Sequence, residues 1–264
     1  MSSFLDRLRP GTTVPIEWSQ LMRRSVFPVL FVVMIVFFSV RVPVFWSAGT
    51  FLNIINGSPI LLLLALSMMM VVVCGGIDLS IDFSFAIGAW GVIILMLNTG
   101  MAWPIACILA VLCAVPVGLL NSLFVTRFQI SPFLATLGVY FIGRSVQKLG
   151  TNGGGSVEFY NSPSGFQALG ASSAFVVNNK VWIALILVCL LWFVLTRTVY
   201  GRRSGAIGLQ REAAENMGIP VSRYLAIAFV SSALISALAG VLLTAQLQMY
   251  TPMTGYTYQH DSIS

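Results

Sequence analysis

Only eight residues of this 264-residue chain are acidic, and two of them stand four apart where one apolar run breaks and the next begins. The segment reads Gly75-Gly76-Ile77-Asp78-Leu79-Ser80-Ile81-Asp82. Paired glycines permit a sharp turn, and Ser80 and Ser84 have the side chains that cap a following helix. Two kinds of chemistry fit. In one, this is a cytoplasmic turn whose aspartates stabilise a helix N-terminus. In the other, it is a re-entrant break lining a solute path, with Gly76, Asp78 and Ser80 offering backbone and side-chain groups to a ligand. A second concentration of charge runs from Gly201 to Pro220, with Glu212-Ala213-Ala214-Glu215 followed by Gly218. It predicts a short amphipathic helix stopped by Gly218, with Glu212 and Glu215 on one face projecting towards a cytoplasmic protein. A plain solvated loop that holds arginines inside is the competing reading.

Other reactive side chains offer little. Cys74, Cys107, Cys113 and Cys189 lie in or beside apolar runs without Cys-x-x-Cys spacing, so packing is the expected role. His260 is the single histidine, and no metal site is expected. Gly153-Gly154-Gly155 lacks the following Lys-Ser/Thr of a phosphate loop. No catalytic residue and no cofactor is expected; if nucleotide drives the protein, another subunit binds it.

The elements that must hold these residues are membrane helices. The chain is 58% hydrophobic and 8% charged, with a mean hydropathy of +0.92, too apolar to cover a soluble globule. Seven spans are expected, at roughly 26–40, 58–74, 83–98, 102–125, 131–147, 181–196 and 224–249. Arg41-Val42-Pro43 directly after the first, and no small-x-small cleavage site, argue against a removed signal peptide. With the N-terminus cytoplasmic, ten of the 14 Lys and Arg fall inside, against Arg41, Lys148 and Lys180 outside. The last, Arg144, lies within a span and is expected to snorkel to the outer interface. Trp46, Trp103 and Trp182 then mark outer ends and Trp18 the inner face. The net charge of +6 follows from this topology and calls for no nucleic acid. Residues 1–25 read as a cytoplasmic leader and 26–264 as one transmembrane domain, an all-α polytopic bundle. Ser232, Ser236 and Gly240, and Gly88 with Gly91, mark close-packing faces and a bundle that could dimerise.

Four segments, in order, carry a family resemblance: Gly76-Ile77-Asp78-Leu79-Ser80, Gly118-Leu119-Leu120-Asn121, Ile130 to Gly138, and Gly201 to Ile219. Over residues 50–264 the chain resembles the permease subunit of bacterial ABC importers for monosaccharides, the ribose-, arabinose- and autoinducer-2-type family. The resemblance implies a multi-pass inner-membrane protein working with an ATP-binding subunit, a periplasmic solute-binding protein and a second permease copy, in contact with membrane lipid. It gives Glu212, Ala213, Ala214, Glu215 and Gly218 an ATPase-docking role, and puts Gly76, Asp78, Ser80, Asn121 and Thr136 at the translocation path or its helix break. Two departures stand out. Family members usually have Val-Gly after Asp-Leu-Ser, whereas Ile81-Asp82 stands here. They also continue with a Gly-Gly-rich break and two or three further spans beyond the position where this chain stops at Asp261–Ser264. The resemblance therefore implies a permease lacking its last quarter, with the Ser232/Ser236/Gly240 face expected to want partners. A branched-chain amino-acid permease, a secondary transporter and an inactive truncated remnant are the other readings.

Overall fold

A computed structural model describes residues 18–174 and 176–252, with side chains from residue 26 onward except those of 173 and 174. The expectations for most of the 1–25 leader, for the Trp18 side chain, and for His260 and Asp261 lie outside the described residues. The chain divides into two compact units, residues 1–53 and 54–264. In the first, α1 (Trp18–Arg41) is a helix with Pro28 inside it, and its apolar part runs from Val26 to Arg41.

Proline placement explains the jogs in the helices that follow. α2 (Ala48–Gly57) and α3 (Pro59–Val72) form one apolar rod, offset where Pro59 lacks the N–H that would continue the ladder. α4 spans Ile81–Thr99 and ends on left-handed Gly100. α5 (Trp103–Leu112) and α6 (Val115–Thr126) form a second offset rod, with Pro116 in the first turn of α6. α7 (Pro132–Gly150) starts on a Ser131 cap, whose side chain accepts from Leu134 N–H. Then come β1 (Val157–Glu158), the short α8 (Ser164–Gly170) and the hairpin of β2 (Ser173–Ala174) with β3 (Val177–Asn178). α9 (Asn179–Arg197), α10 (Val199–Leu209), α11 (Arg211–Asn216) and α12 (Val221–Leu247) complete the helices. β4 (Met249–Tyr250) returns to pair antiparallel with β1.

Among the described residues, five helical stretches are long and apolar enough to cross a membrane: Ala48–Val72, Ile81–Thr99, Trp103–Thr126, Asn179–Arg197 and Val221–Leu247. They coincide with five of the seven expected spans. The other two are helices as well, but fall short on these criteria. In α1 the apolar stretch with described side chains, Val26–Arg41, counts among the shorter apolar helices. α7 is long enough, but Thr136, Arg144, Gln147 and Lys148 dilute its apolar character.

The core is organised around α12, which packs against α4, α3 and α6. Small residues make this possible. A Cβ on Gly240 would sit 2.1 Å from the Phe85 carbonyl oxygen, and Ser232 and Ser236 are fully buried. The expectation that this face lacks partners is therefore corrected: α4 and the segment before it fill it.

Candidate functional site

The two halves of Gly75–Asp82 do different work. α3 ends at Val72, and Gly75 turns the chain with φ +81, a conformation that glycine adopts without strain. Residues 76–79 are then neither helix nor strand. This stretch climbs beside its neighbours. A Cβ on Gly76 would stand 3.2 Å from the Pro132 side chain at the base of α7. The Ile77 carbonyl lies 3.2 Å from Thr136 Oγ1, one turn further up. Asp78 bonds Ser232, eleven residues into α12, which is about 16 Å from Val221 along the helix axis. Phe83 packs against Gly143, likewise eleven residues into α7. The break is thus inside the bundle, level with the middle of its long helices. Backbone that is not helical is sustained at such depth only when protein or a polar path surrounds it.

Protein encloses one side of it here: Gly76, Asp78 and Ser80 are buried, whereas Ile77 is exposed. Asp78 is 1% exposed and takes three hydrogen bonds. Ser80 N–H and Ser80 Oγ donate to its Oδ1 at 2.9 and 2.6 Å, and Ser232 Oγ donates to Oδ2 at 2.7 Å. Asn121 Nδ2 donates to Ser80 Oγ at 2.6 Å, which commits the single Ser80 proton to Asp78. Asn121 Oδ1 is buried with no donor facing it. Thr136 Oγ1 donates to its own helix at Pro132 O, 2.8 Å away, as well as lying against Ile77. Gly76, Asp78, Ser80, Asn121 and Thr136 are therefore brought together, from the break, α6 and α7. The capping expectation fails in detail: Ser80 occupies the N-cap of α4 but caps nothing with its hydroxyl, which points back to Asp78. Ser84 Oγ, buried, has no partner.

A second polar set stands further up α7. Asp82, also 1% exposed, accepts from Gln147 Nε2 at 3.2 Å, and Gln147 Oε1 accepts from Tyr250 Oη–H at 3.0 Å. Arg144 donates to the Pro252 carbonyl at 3.1 Å, and its charge acts on Asp82. Arg144 thus reaches across to the segment that follows β4.

The residues expected to dock an ATP-binding subunit are separate from both sets. α11 places Glu212 and Glu215 outward, and Arg211 Nε pairs with Glu215 Oε1 at 3.1 Å. Ala213 is half-buried and Ala214 fully buried in a cluster with Ile207, Val221 and Leu225, so a larger side chain at 214 would lift the helix away. Gly218, at φ +76, ends the element in the left-handed region. Leu209 and Met217 flank it and are 91% and 71% exposed. The link back to the break is direct: a Cβ on Gly208 would meet Val73 O at 2.3 Å and Gly75 N at 3.1 Å. A cavity of about 220 Å³ opens beside this contact, lined by Cys74, Gly75, Gly208 and Arg211 among others. Burial pushes the Cys74 thiol above its ordinary range. Among the described residues, no three His, Cys, Asp or Glu are grouped to hold a metal.

Sequence reasoning missed Ser232, Gln147, Tyr250, Gly208, Leu209 and Met217 as parts of these sites. Ser232 was legible as a polar residue in the middle of an apolar span; the others gave no signal without the fold.

The family model for the branched-chain amino acid transport system / permease component matches residues 50–263. The chain is 29% identical over 232 residues to a ribose import permease protein of Bacillus subtilis (strain 168), covering 88% of this chain and 71% of that one. It is 31% identical over 218 residues to a galactofuranose transporter permease protein of Escherichia coli (strain K12), covering 80% and 63%. It is 28% identical over 219 residues to an autoinducer 2 import system permease protein of Salmonella choleraesuis (strain SC-B67), covering 83% and 62%. The chain therefore spans less than two thirds of the length of the last two. No solved structure matches it. A multi-pass helical chain with a polar break inside its bundle, matched along four fifths of its length, belongs to the branched-chain amino acid transport system / permease component family.

Proposed function

We propose that this chain is the translocating subunit of a binding-protein-dependent ABC importer, carrying a monosaccharide or related small polar solute across the bacterial inner membrane. The observation that carries the reading is the non-helical, polar-lined segment 76–80 inside the bundle, touched at its base by Gly208 of α10, the helix that leads into the element bearing Glu212 and Glu215. A neutral polar solute crossing a bundle needs such groups, and α-helical backbone alone leaves none unspent. The relatives named for ribose, galactofuranose and autoinducer 2 favour a sugar over a branched-chain amino acid.

In this reading the seven helices span the membrane with a cytoplasmic N-terminus, and residues 1–25 form a leader. A separate ATP-binding subunit docks on α11, with Leu209 and Met217 supplying apolar contact. A second permease copy completes the pathway, and a periplasmic solute-binding protein delivers the solute. Closure of the ATP-binding subunits pushes α10 and α11, and the bundle switches between outward-open and inward-open states. The permease itself performs no covalent chemistry.

Deleting the gene in its native host should abolish uptake of one labelled monosaccharide and leave leucine uptake intact. Loss of leucine uptake alone would make it an amino-acid permease; unchanged uptake of every solute would end the importer reading. Reporters fused after Arg203 and near Ser164 should report cytoplasm and periplasm respectively, and the reverse at both would invert the topology.

A further inference from the structure

We infer that Asp82, with Gln147 and Tyr250, forms a solute-contacting site above the Asp78 network, selective for neutral solutes rich in hydroxyl donors. The inference rests on the importer reading and adds the residues that choose its cargo.

Asp82 stands level with Gln147, fifteen residues above Pro132, or about 22 Å along α7. That level is the last turn of α7, and a carboxyl buried in protein there is costly and calls for partners. Its Oδ2 has one, the Gln147 amide. Its Oδ1 has none, although the residue is 1% exposed. Of the carboxyl groups on this line, Asp78 is fully supplied with donors by the protein itself, and Asp82 is half supplied. A buried acceptor without a donor is unstable by itself and favours a ligand that brings one.

The chemistry of the surroundings narrows that ligand. The open group at Asp82 is an acceptor, and so is the open Asn121 Oδ1 lower on the same break. Acceptors reject phosphates and carboxylates, which bring further negative oxygen. Arg144, one turn before Gln147 on α7, brings a positive charge to the same end of the bundle and disfavours a simple cation. What remains is a neutral molecule with several O–H groups. Gln147 and Tyr250, hydrogen-bonded to each other, can exchange that bond for bonds to a hydroxyl without being orphaned. Tyr250 lies on β4, paired with β1 of the outer segment, so the site is closed by the same strand that would have to yield to admit solute.

The test uses membranes carrying the complete importer. A hydrophobic carbodiimide is applied with and without D-ribose or D-galactose, and modification of Asp82 is read by mass spectrometry. One of the sugars should slow modification roughly tenfold, and equal modification with and without both overturns the site. In uptake, Asp82→Asn turns the open acceptor into a donor. It should raise the half-saturating concentration of the transported sugar about 10–100-fold, the loss of one hydrogen bond to a charged group. A single-deoxy analogue lacking the contacted hydroxyl should lose nothing further, whereas an equal loss for every analogue overturns the inference. If Asp82 resists the carbodiimide altogether, the analogue comparison decides alone. Sugar uptake without protection or analogue dependence removes the site and leaves the importer reading standing. Protection without sugar uptake removes the importer reading and leaves the site.

Discussion

Replacing Asp78 by alanine and by asparagine separates a hydrogen-bond hub from a mere turn residue. Alanine removes the acceptor for Ser80 N–H, Ser80 Oγ–H and Ser232 Oγ–H. Each donor left buried and unmet costs about 1–3 kcal/mol. Two of the three have partial remedies. Ser232 can turn its proton to a carbonyl one helical turn back, and Ser80 can turn to Asn121 Oδ1, which lacks a donor. The Ser80 N–H has no such choice. The net cost of Asp78→Ala is therefore about 3–5 kcal/mol, a large part of a typical domain's stability. Asparagine keeps one oxygen for both Ser80 donors and offers its NH2 to Ser232 Oγ, which then accepts. Only the strengthening from charge is lost, about 1 kcal/mol. Unfolding of the purified protein in mixed micelles, followed by tryptophan fluorescence, reads both. Equal losses for the two variants, or an alanine cost below about 1 kcal/mol, would refute the accounting by showing that the hydrogen bonds do not hold the break.

Three other outcomes follow from the same geometry. Gly208→Val places a Cβ 2.3 Å from Val73 O, so the protein should lose about 1–3 kcal/mol in the same unfolding assay; unchanged stability would mean that the base of the break is not packed as described. Glu212→Arg and Gly218→Val should each abolish co-purification with the ATP-binding subunit while the chain still inserts, the second by straining the left-handed turn by about 1–2 kcal/mol; retention by both would remove α11 from the docking surface. Cys74, its thiol pushed up by burial, should react with maleimide at neutral pH at least about tenfold more slowly than in the denatured chain and gain rate only at higher pH; equal rates would show that the cavity beside Gly208 is open to solvent.

Much of the fold was legible because lipid leaves few alternatives: a continuous apolar run must be helical. The expected spans at 83–98 and 102–125 accordingly match α4 and the α5–α6 rod within a few residues. α7 was harder, because its polar residues serve the interior of the bundle rather than lipid, so composition understates it. The grouping of Gly76, Asp78, Ser80, Asn121 and Thr136 came from the resemblance, and only the fold shows what unites them. The depth of the break was not legible at all. Gly75-Gly76 announces a turn, but nothing in the sequence says that the chain climbs back up between α7 and α12 before α4 begins. Asp82 looked like a surplus acid at a turn for the same reason: its partners, Gln147 and Tyr250, lie 65 and 168 residues away along the chain.

The meeting of Gly75 and Gly208 has a mechanical consequence. Most packed joints in a protein contain side chains, and side chains give: a rotamer can shift and absorb a few tenths of an ångström of movement before the backbone beyond it responds. At this joint there are none on either side, and one main chain bears directly on another. The joint therefore has no slack. A displacement of α10 reaches the foot of the non-helical segment at nearly full amplitude, and the compliance of the assembly lies elsewhere, in the single extended residue Gln210 that separates α10 from α11. Stiffness at this point is set by what the sequence leaves out.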